Sequence, residues 1–232
     1  MSYLLLAYST PTHPSLSDSD FNTWYTTHHI TDVLSSSLAD LAIRYKSLDQ
    51  DARYRYLAAY RVADPTFMAD AEKMARIPDA HEMLPGKEEG TGGGRWADVA
   101  DAKVLLYERV QTFEGEGGSG KGQGLAVVGF DPADGQDDDF DHWYRNEHLG
   151  KLSKCTGYLR TTRYKLLPGP DGKLDGVPYI AMHEYETTNF PEEQIKETVG
   201  TEWSKKHIQG AKKFERGLWE YIVDAGKTDE KF

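Results

Sequence analysis

Asp20-Phe21-Asn22-Thr23-Trp24-Tyr25-Thr26-Thr27-His28-His29-Ile30 and Asp139-Phe140-Asp141-His142-Trp143-Tyr144-Arg145-Asn146-Glu147-His148-Leu149 are two versions of one segment. Asp, Phe, Trp, Tyr and His coincide at a constant offset of 119 residues, and the same offset carries Arg44-Tyr45-Lys46 onto Arg163-Tyr164-Lys165 without a gap. Further on, Tyr56-Leu57-Ala58-Ala59-Tyr60 matches Tyr179-Ile180-Ala181-Met182-His183 at an offset of 123. The additional residues fall in Pro168-Gly169-Pro170-Asp171-Gly172, a stretch of turn formers where insertions are tolerated. Self-similarity at this distance identifies two copies of one supersecondary unit.

Each copy reads as strand, helix, strand, strand, helix, strand. The apolar runs 3–8 and 125–130 precede turns and suit buried first strands. Helices are expected over 18–36 and 137–154, each opened by acidic residues that complement a helix N-terminus. Hairpin-like strand pairs follow at 41–48 with 53–62 and at 158–167 with 178–186. Second helices are expected after Pro65 and Pro191, and last strands at 103–110 and 218–223. Between the copies, residues 114–124 hold six glycines in eleven positions and read as a flexible linker. The expected domains are therefore 1–113 and 125–232. This order of elements is the ferredoxin-like arrangement, whose helices cover one face of a four-stranded antiparallel sheet and leave the other to be covered. The fold class is α+β: two tandem ferredoxin-like units forming an intramolecular dimeric α/β-barrel, with a pocket between the sheets.

Composition narrows the function. The 232 residues carry 27 basic and 38 acidic side chains, a formal net charge of −11, which disfavours nucleic acid because phosphate binding rests on clustered Lys and Arg. The apolar start at 3–8 is far too short to span a bilayer, and a cytoplasmic protein with no membrane partner is expected. Cys155 is alone and reads as a structural thiol. No metal is expected, since His28-His29 and His142 to His148 have neither the spacing nor the shared face of a helical metal motif. Gly115 to Lys121 has the outline of a phosphate loop, but Gly122 replaces the Ser or Thr and a strand follows, so it reads as linker. Gly90 to Gly94 reads as a loop at the barrel mouth.

The helix motif closing on His29 and His148, set between the first two strands of a ferredoxin-like unit, resembles the EthD-type family of the dimeric α/β-barrel superfamily. Members are commonly one unit that dimerises, so this chain is similar to a fused pair. The resemblance implies cofactor-free chemistry on aromatic or polyketide substrates: decarboxylation, dehydration, cyclisation or oxygenation. Tandem units of this kind also build haem-binding barrels of about this length.

Histidine exchanges protons near neutrality, which makes His148, His29 and His183 the catalytic candidates; a histidine bracing a helix end is the alternative. Alternation puts Tyr56, Ala58 and Tyr60 on one strand face and Tyr179, Ala181 and His183 on its equivalent, a polar-spotted surface suited to a ligand. Tyr60 and Tyr179 are candidate donors to a substrate oxygen. Trp24, Trp143 and Tyr144 either wall an aromatic ligand or belong to the core. Arg44 and Arg163 either clamp a carboxylate or pair with a nearby acid. The leading reading is a cofactor-independent lyase acting on a small aromatic or polyketide-like molecule, with no cofactor. A cofactor-free oxygenase, a haem protein and a non-catalytic ligand-binding protein are the alternatives, and further self-association into a homodimer of the pseudo-dimer is compatible with each.

Overall fold

A computed structural model describes residues 2–86, 88, 90–116, 120–169 and 172–232. Residues 117–119 of the expected linker and residues 170–171 of the turn that absorbs the offset lie outside the described residues. In chain order the elements are β1 (Tyr3–Pro11), α1 (Asp18–Trp24), a π-helical turn (Tyr25–His29), α2 (Ile30–Ser35), β2 (Ala39–Ser47), β3 (Tyr56–Val62), a 3-10 turn (Phe67–Ala69), α3 (Ala71–Met74), β4 (Ala80–His81), β5 (Gly94–Arg95), α4 (Trp96–Val99) and β6 (Ala100–Glu114). They continue with β7 (Gly124–Asp131), α5 (Asp137–Trp143), a second π-helical turn (Tyr144–His148), α6 (Leu149–Leu152), β8 (Tyr158–Leu166), β9 (Tyr179–Tyr185), α7 (Glu192–Thr198), α8 (Glu202–Gly210) and β10 (Lys213–Gly226). The eight long strands form a closed barrel in the hydrogen-bonded order β1-β3-β2-β10-β7-β9-β8-β6.

The chain divides into two compact units. The first takes Met1–Tyr107, Pro168–Lys173 and Ile222–Phe232; the second takes Glu108–Leu167 and Leu174–Tyr221. In the first, β3 runs antiparallel between β1 and β2, with Leu5 opposite Tyr60 and Ala42 opposite Tyr60. In the second, β9 runs between β7 and β8, with Ala126 and Thr161 both opposite His183. The aromatic helix face then lies on the sheet. Phe21, Trp24, Tyr25, Ile30 and Val33 share one buried cluster with Leu5, Ala58, Tyr60 and Val62. Phe140, Trp143, Tyr144 and Leu149 do the same with Phe130 and Ala181.

Three expectations need revision. The strand faces carrying Tyr56, Ala58 and Tyr60, and Ala181 and His183, lie under the helices of their own unit, because the phenols and imidazoles find ring and hydrogen-bond partners there. The long helices run where expected, unbroken over 18–35 and 137–152, but each carries a π-turn that the sequence spacing does not predict. In the first copy the second helix is reduced to short pieces, since Pro78, Pro85 and the glycines after it cannot continue an α-helix, and the two-stranded pairing of β4 with β5 stands in its place. In the second copy that helix is split into α7 and α8, with Thr201 capping the second piece by accepting from the Ser204 N–H.

Within the linker, Gly115, Gly122 and Gly124 are closely packed. A Cβ on Gly115 would meet the Tyr158 ring at 2.7 Å and one on Gly124 would meet the Thr187 carbonyl oxygen at 2.3 Å, so these positions need glycine for close approach. No helix among the described residues is long and apolar enough to cross a membrane.

Candidate functional site

The site begins with helix geometry. Ser17 caps α1 by accepting from the Asp20 N–H, while α5 has no side-chain cap and relies on Asp137, Asp138 and Asp139 against the helix N-terminal dipole. Both helices then widen by one residue: the Ile30 N–H donates to the Tyr25 carbonyl and the Leu149 N–H to the Tyr144 carbonyl. At α-helical pitch, Asp32 and Lys151 would come round toward the sheet. The wider turn instead buries Ile30 and Val33, and Leu149 and Leu152, while holding His29 and His148 on the same side. His28 is left outside, its ring 4.3 Å from that of His81, and Glu147 at the equivalent place accepts from the Thr201 hydroxyl at 2.6 Å.

In the second unit, His148 lines a cavity of about 360 Å³ between α5–α6 and the sheet, shared with Trp143, Tyr144, His183, Phe130 and Leu152. The His148 ring stacks on Trp143 at 4.4 Å and meets Tyr144 edge-on at 5.0 Å. His183 stands T-shaped to it, ring centres 6.3 Å apart. Trp143 is fixed by its Nε1–H donating to Ser204 Oγ at 3.1 Å. Behind His183 the Tyr158 hydroxyl donates to Thr161 Oγ1 at 2.8 Å, and Thr161 Oγ1 lies 2.7 Å from His183 Nδ1. The Thr161 hydroxyl thereby links Tyr158 to Nδ1 of His183 and fixes the orientation of that ring. His148 Nδ1 is buried and has no hydrogen-bond partner.

Both imidazoles are uncharged at neutrality. Burial, aided by the Arg163 charge, pushes His148 down to about 3. Burial, then His148, Arg216 and Arg163, pushes His183 down to about 3. Burial raises the Tyr144 phenol to about 12 against the pull of Arg163. The Arg163 guanidinium lies 4.1 Å from the Tyr144 ring centre and donates to Asp141 and Gln111, both at 2.8 Å. The solvent side of the cavity carries the Arg216–Glu192 ion pair and Lys196.

The first unit holds a cavity of about 300 Å³ in the corresponding place, lined by Trp24, Tyr25, His29 and Tyr60 and by Met68, Ile77 and Trp96 from the segment after β3. His29 packs 5.1 Å from Trp24 and 4.7 Å from Tyr25; burial, then Arg44, lowers it to about 4, and its Nδ1 is buried without a partner. The Tyr60 hydroxyl donates to the Tyr25 hydroxyl at 3.1 Å. Arg44 lies 4.1 Å from the Tyr25 ring centre and donates to Asn22 Oδ1 and Thr26 Oγ1 at 3.0 Å.

The structure thus sorts the sequence candidates into two sets. His148, His183, Trp143 and Tyr144 meet at the second cavity, and His29, Trp24 and Tyr60 at the first. Tyr179 is turned to the helix start, donating to Asp137 Oδ1 at 2.6 Å, and does not line the cavity. Arg44 and Arg163 lie beneath tyrosine rings, off both cavities. The cavities that these candidates line lie within one unit each, between helices and sheet. Thr161 and Tyr158 were not singled out from sequence, although Thr161 stands 119 residues after Ala42 and the two differ. Among the described residues no group of three His, Cys, Asp or Glu side chains is placed to hold a metal.

No protein-family model matches the chain. Core atranone cluster (CAC) protein 1 of Stachybotrys chlorohalonatus (strain IBT 40285) is 26% identical over 238 residues, covering 96% of this chain and 91% of that protein. Among solved structures, an anthrone oxidase-like protein matches with a TM-score of 0.53 at 11% identity, covering 97% of this chain and 92% of that one. A variant chlorite dismutase from Candidatus Nitrospira defluvii matches with a TM-score of 0.61 at 13% identity, covering 96% and 91%. At these identities the likeness is one of fold, the dimeric α/β-barrel.

Proposed function

We propose that the chain is a cofactor-independent enzyme that acts on a small aromatic or polyketide-like molecule in the cavity of the second unit, through proton transfer by His148 and His183. The observation that carries this is the pair of buried, uncharged imidazoles at one apolar cavity, with His148 Nδ1 unpartnered. The first cavity has Tyr60 where the second has His183, and Ala42 where the second has Thr161, so a supported imidazole pair exists in the second alone among the described residues. A volume of about 360 Å³ falls in the range for small-molecule sites.

Burial that keeps both rings neutral leaves His148 with a free nitrogen. It accepts a proton from a C–H or O–H made acidic by a neighbouring carbonyl, and the electron pair stays on the substrate as an enolate or phenolate. In a dehydration the leaving hydroxyl takes up the proton from the His148 imidazolium and departs as water, and His148 returns to neutrality. In ring closure the same anion attacks a second carbonyl carbon and the imidazolium protonates the resulting alkoxide; in a decarboxylation His148 takes the carboxylic acid proton, CO2 leaves with its C–C electron pair staying on the substrate as an enolate, and the imidazolium returns the proton to that carbon. The lyase reading, the organisation as two tandem ferredoxin-like repeats of EthD type, a cytoplasmic location and further homodimerisation belong to this proposal. Its support is the repeat offset, the paired π-turns, and a relative named for the atranone cluster.

A cofactor-free oxygenase is the second reading. The same phenolate or enolate, once formed, reacts directly with O2, and the fold likeness to an anthrone oxidase-like protein favours it. A haem does not fit these residues: a porphyrin macrocycle exceeds either cavity, and the His148 Nδ1 and His29 Nδ1 lack the hydrogen-bond partner that orients an axial imidazole.

The test is turnover of phenolic acids and polyketide-like β-dicarbonyl compounds, followed by ultraviolet absorption and an oxygen electrode. His148→Ala is expected to lower turnover by roughly a hundredfold with little change in melting temperature. Oxygen consumed in proportion to product selects the second reading, and full activity in His148→Ala would sink both.

A further inference from the structure

We propose that the cavity of the first unit is a second binding site, selective for an apolar molecule that ends in an oxyanion, of the class of aromatic carboxylates and phenolates. Its argument uses the first unit alone and does not depend on which reaction the second unit performs.

The wall of this cavity is mostly apolar, and its two phenols form a directed chain. Tyr60 donates to Tyr25, so the Tyr25 proton has no acceptor in that pair and is free for a ligand oxygen at the cavity. A hydroxyl that already accepts a hydrogen bond is a stronger donor. The Arg44 guanidinium, stacked 4.1 Å from the centre of the Tyr25 ring, draws electron density and strengthens that donor again. His29, at the same wall, offers a buried Nδ1 with no protein partner.

The charge balance points the same way. Arg44 is fully buried, and among the described residues no carboxylate lies within ion-pair distance of it; its side-chain partners are Asn22 and Thr26. At the matching place in the second unit, Asp141 pairs with Arg163 at 2.8 Å. Asn22 stands where the repeat has Asp141, so the first cavity sits beside a cation with no directly paired carboxylate among the described residues, Asp18 acting on it only through its field. Asp18 is held by Arg55 at 2.8 Å, and the carboxylate that lines the rim, Asp79, is held by Arg95 at 2.9 Å. An anion entering the cavity supplies the missing negative charge in a low-dielectric setting, where the interaction is strong. The change from His183 to Tyr60 replaces a proton acceptor by a donor, which suits holding an oxyanion.

The experiment is calorimetric titration of the full chain with 2-naphthoate and with its neutral counterpart 2-naphthylmethanol at pH 7. The acid is expected to bind one site about tenfold tighter than the alcohol, as a charge-assisted hydrogen bond gives. Tyr60→Phe and Asn22→Asp should each bring the ratio toward one, the former by weakening the donor chain and the latter by neutralising Arg44. Crystals soaked in 4-bromobenzoate should show bromine anomalous density in the first cavity with the carboxylate on the Tyr25 hydroxyl. Equal binding of acid and alcohol, a ratio indifferent to both variants, or bromine confined to the second cavity would overturn the proposal. If either variant fails to fold, the wild-type ratio and the bromine position still decide.

Discussion

His148 and His183 enter the folded chain as neutral rings, and this dictates how stability responds to acid. In the unfolded chain each binds a proton below its ordinary value of about 6.5, whereas burial delays protonation in the folded chain to about 3. The unfolded state therefore holds more protons between these limits, and stability falls as pH drops from 6.5 toward 3. By pH 5 the loss is about 2 kcal/mol for each ring. Chemical denaturation at pH 7 and pH 5 should show it, and His148→Gln should reduce the difference by about a third, since His29, lowered by burial to about 4, responds over the same range; a difference unchanged in that variant would mean the ring is already charged or exposed. The repeat made His148 and His29 legible in the sequence because they close matching motifs. It could not make Thr161 legible in the same way, since a threonine within a strand is an ordinary β-former and its bond to His183 exists only once β8 pairs with β9.

The element that decides which side chains reach the cavities is the π-turn. At regular helical pitch His28 and His29 would both lie near the edge of the face that packs on the sheet. One extra residue in the turn settles the matter for His29, by bringing Ile30 and Val33 inward behind it. Deleting the exposed Gly150 should return the turn to α-helical pitch: Leu152, then seven residues after Tyr144, would stay inward, while His148, five residues after Trp143, rotates off that ring. Circular dichroism should remain close to that of the parent while turnover falls roughly a hundredfold, as for His148→Ala. Retained turnover would show that the wider turn serves packing alone. The helix itself was predictable from its aromatic stripe and acidic start. Its wider turn was not, since nothing in local propensity distinguishes i→i+4 from i→i+5 bonding over five residues.

At the scale of the molecule, the repeat was legible as two sequence segments, and the compact units are drawn differently because the two longest strands, β6 and β10, each contribute to both. Ile222–Phe232 belongs to the first unit, where Ile222, Val223 and Ala225 pack on its core and Phe232 is buried. Polar anchors hold the same segment. Arg61 pairs with Asp40 at 2.7 Å and with Glu230 at 2.7 Å, and Lys227 donates its N–H to the Asp40 carbonyl at 2.8 Å. Gly226 makes the approach feasible: its φ is +88°, and a Cβ there would meet the Asp40 carbonyl oxygen at 2.3 Å. The second unit uses the reverse charges at the same strand position, Glu184 holding Arg160 at 2.6 Å, and Arg160 reaches the Gly120 carbonyl of the linker. A chain ending at Tyr221 should therefore lose the first unit's stability ahead of the second's. Removal of the buried Phe232 and the packed Ile222 and Val223 alone costs roughly 5 kcal/mol or more, a large part of the stability of a domain this size. Hydrogen exchange of the truncated chain should show amides of β2 and β3 exchanging fast while those of β8 and β9 stay protected. Equal protection in both sets would mean that the last strand segment is dispensable to the unit it packs on, and uniform loss would mean that the two units fold as one.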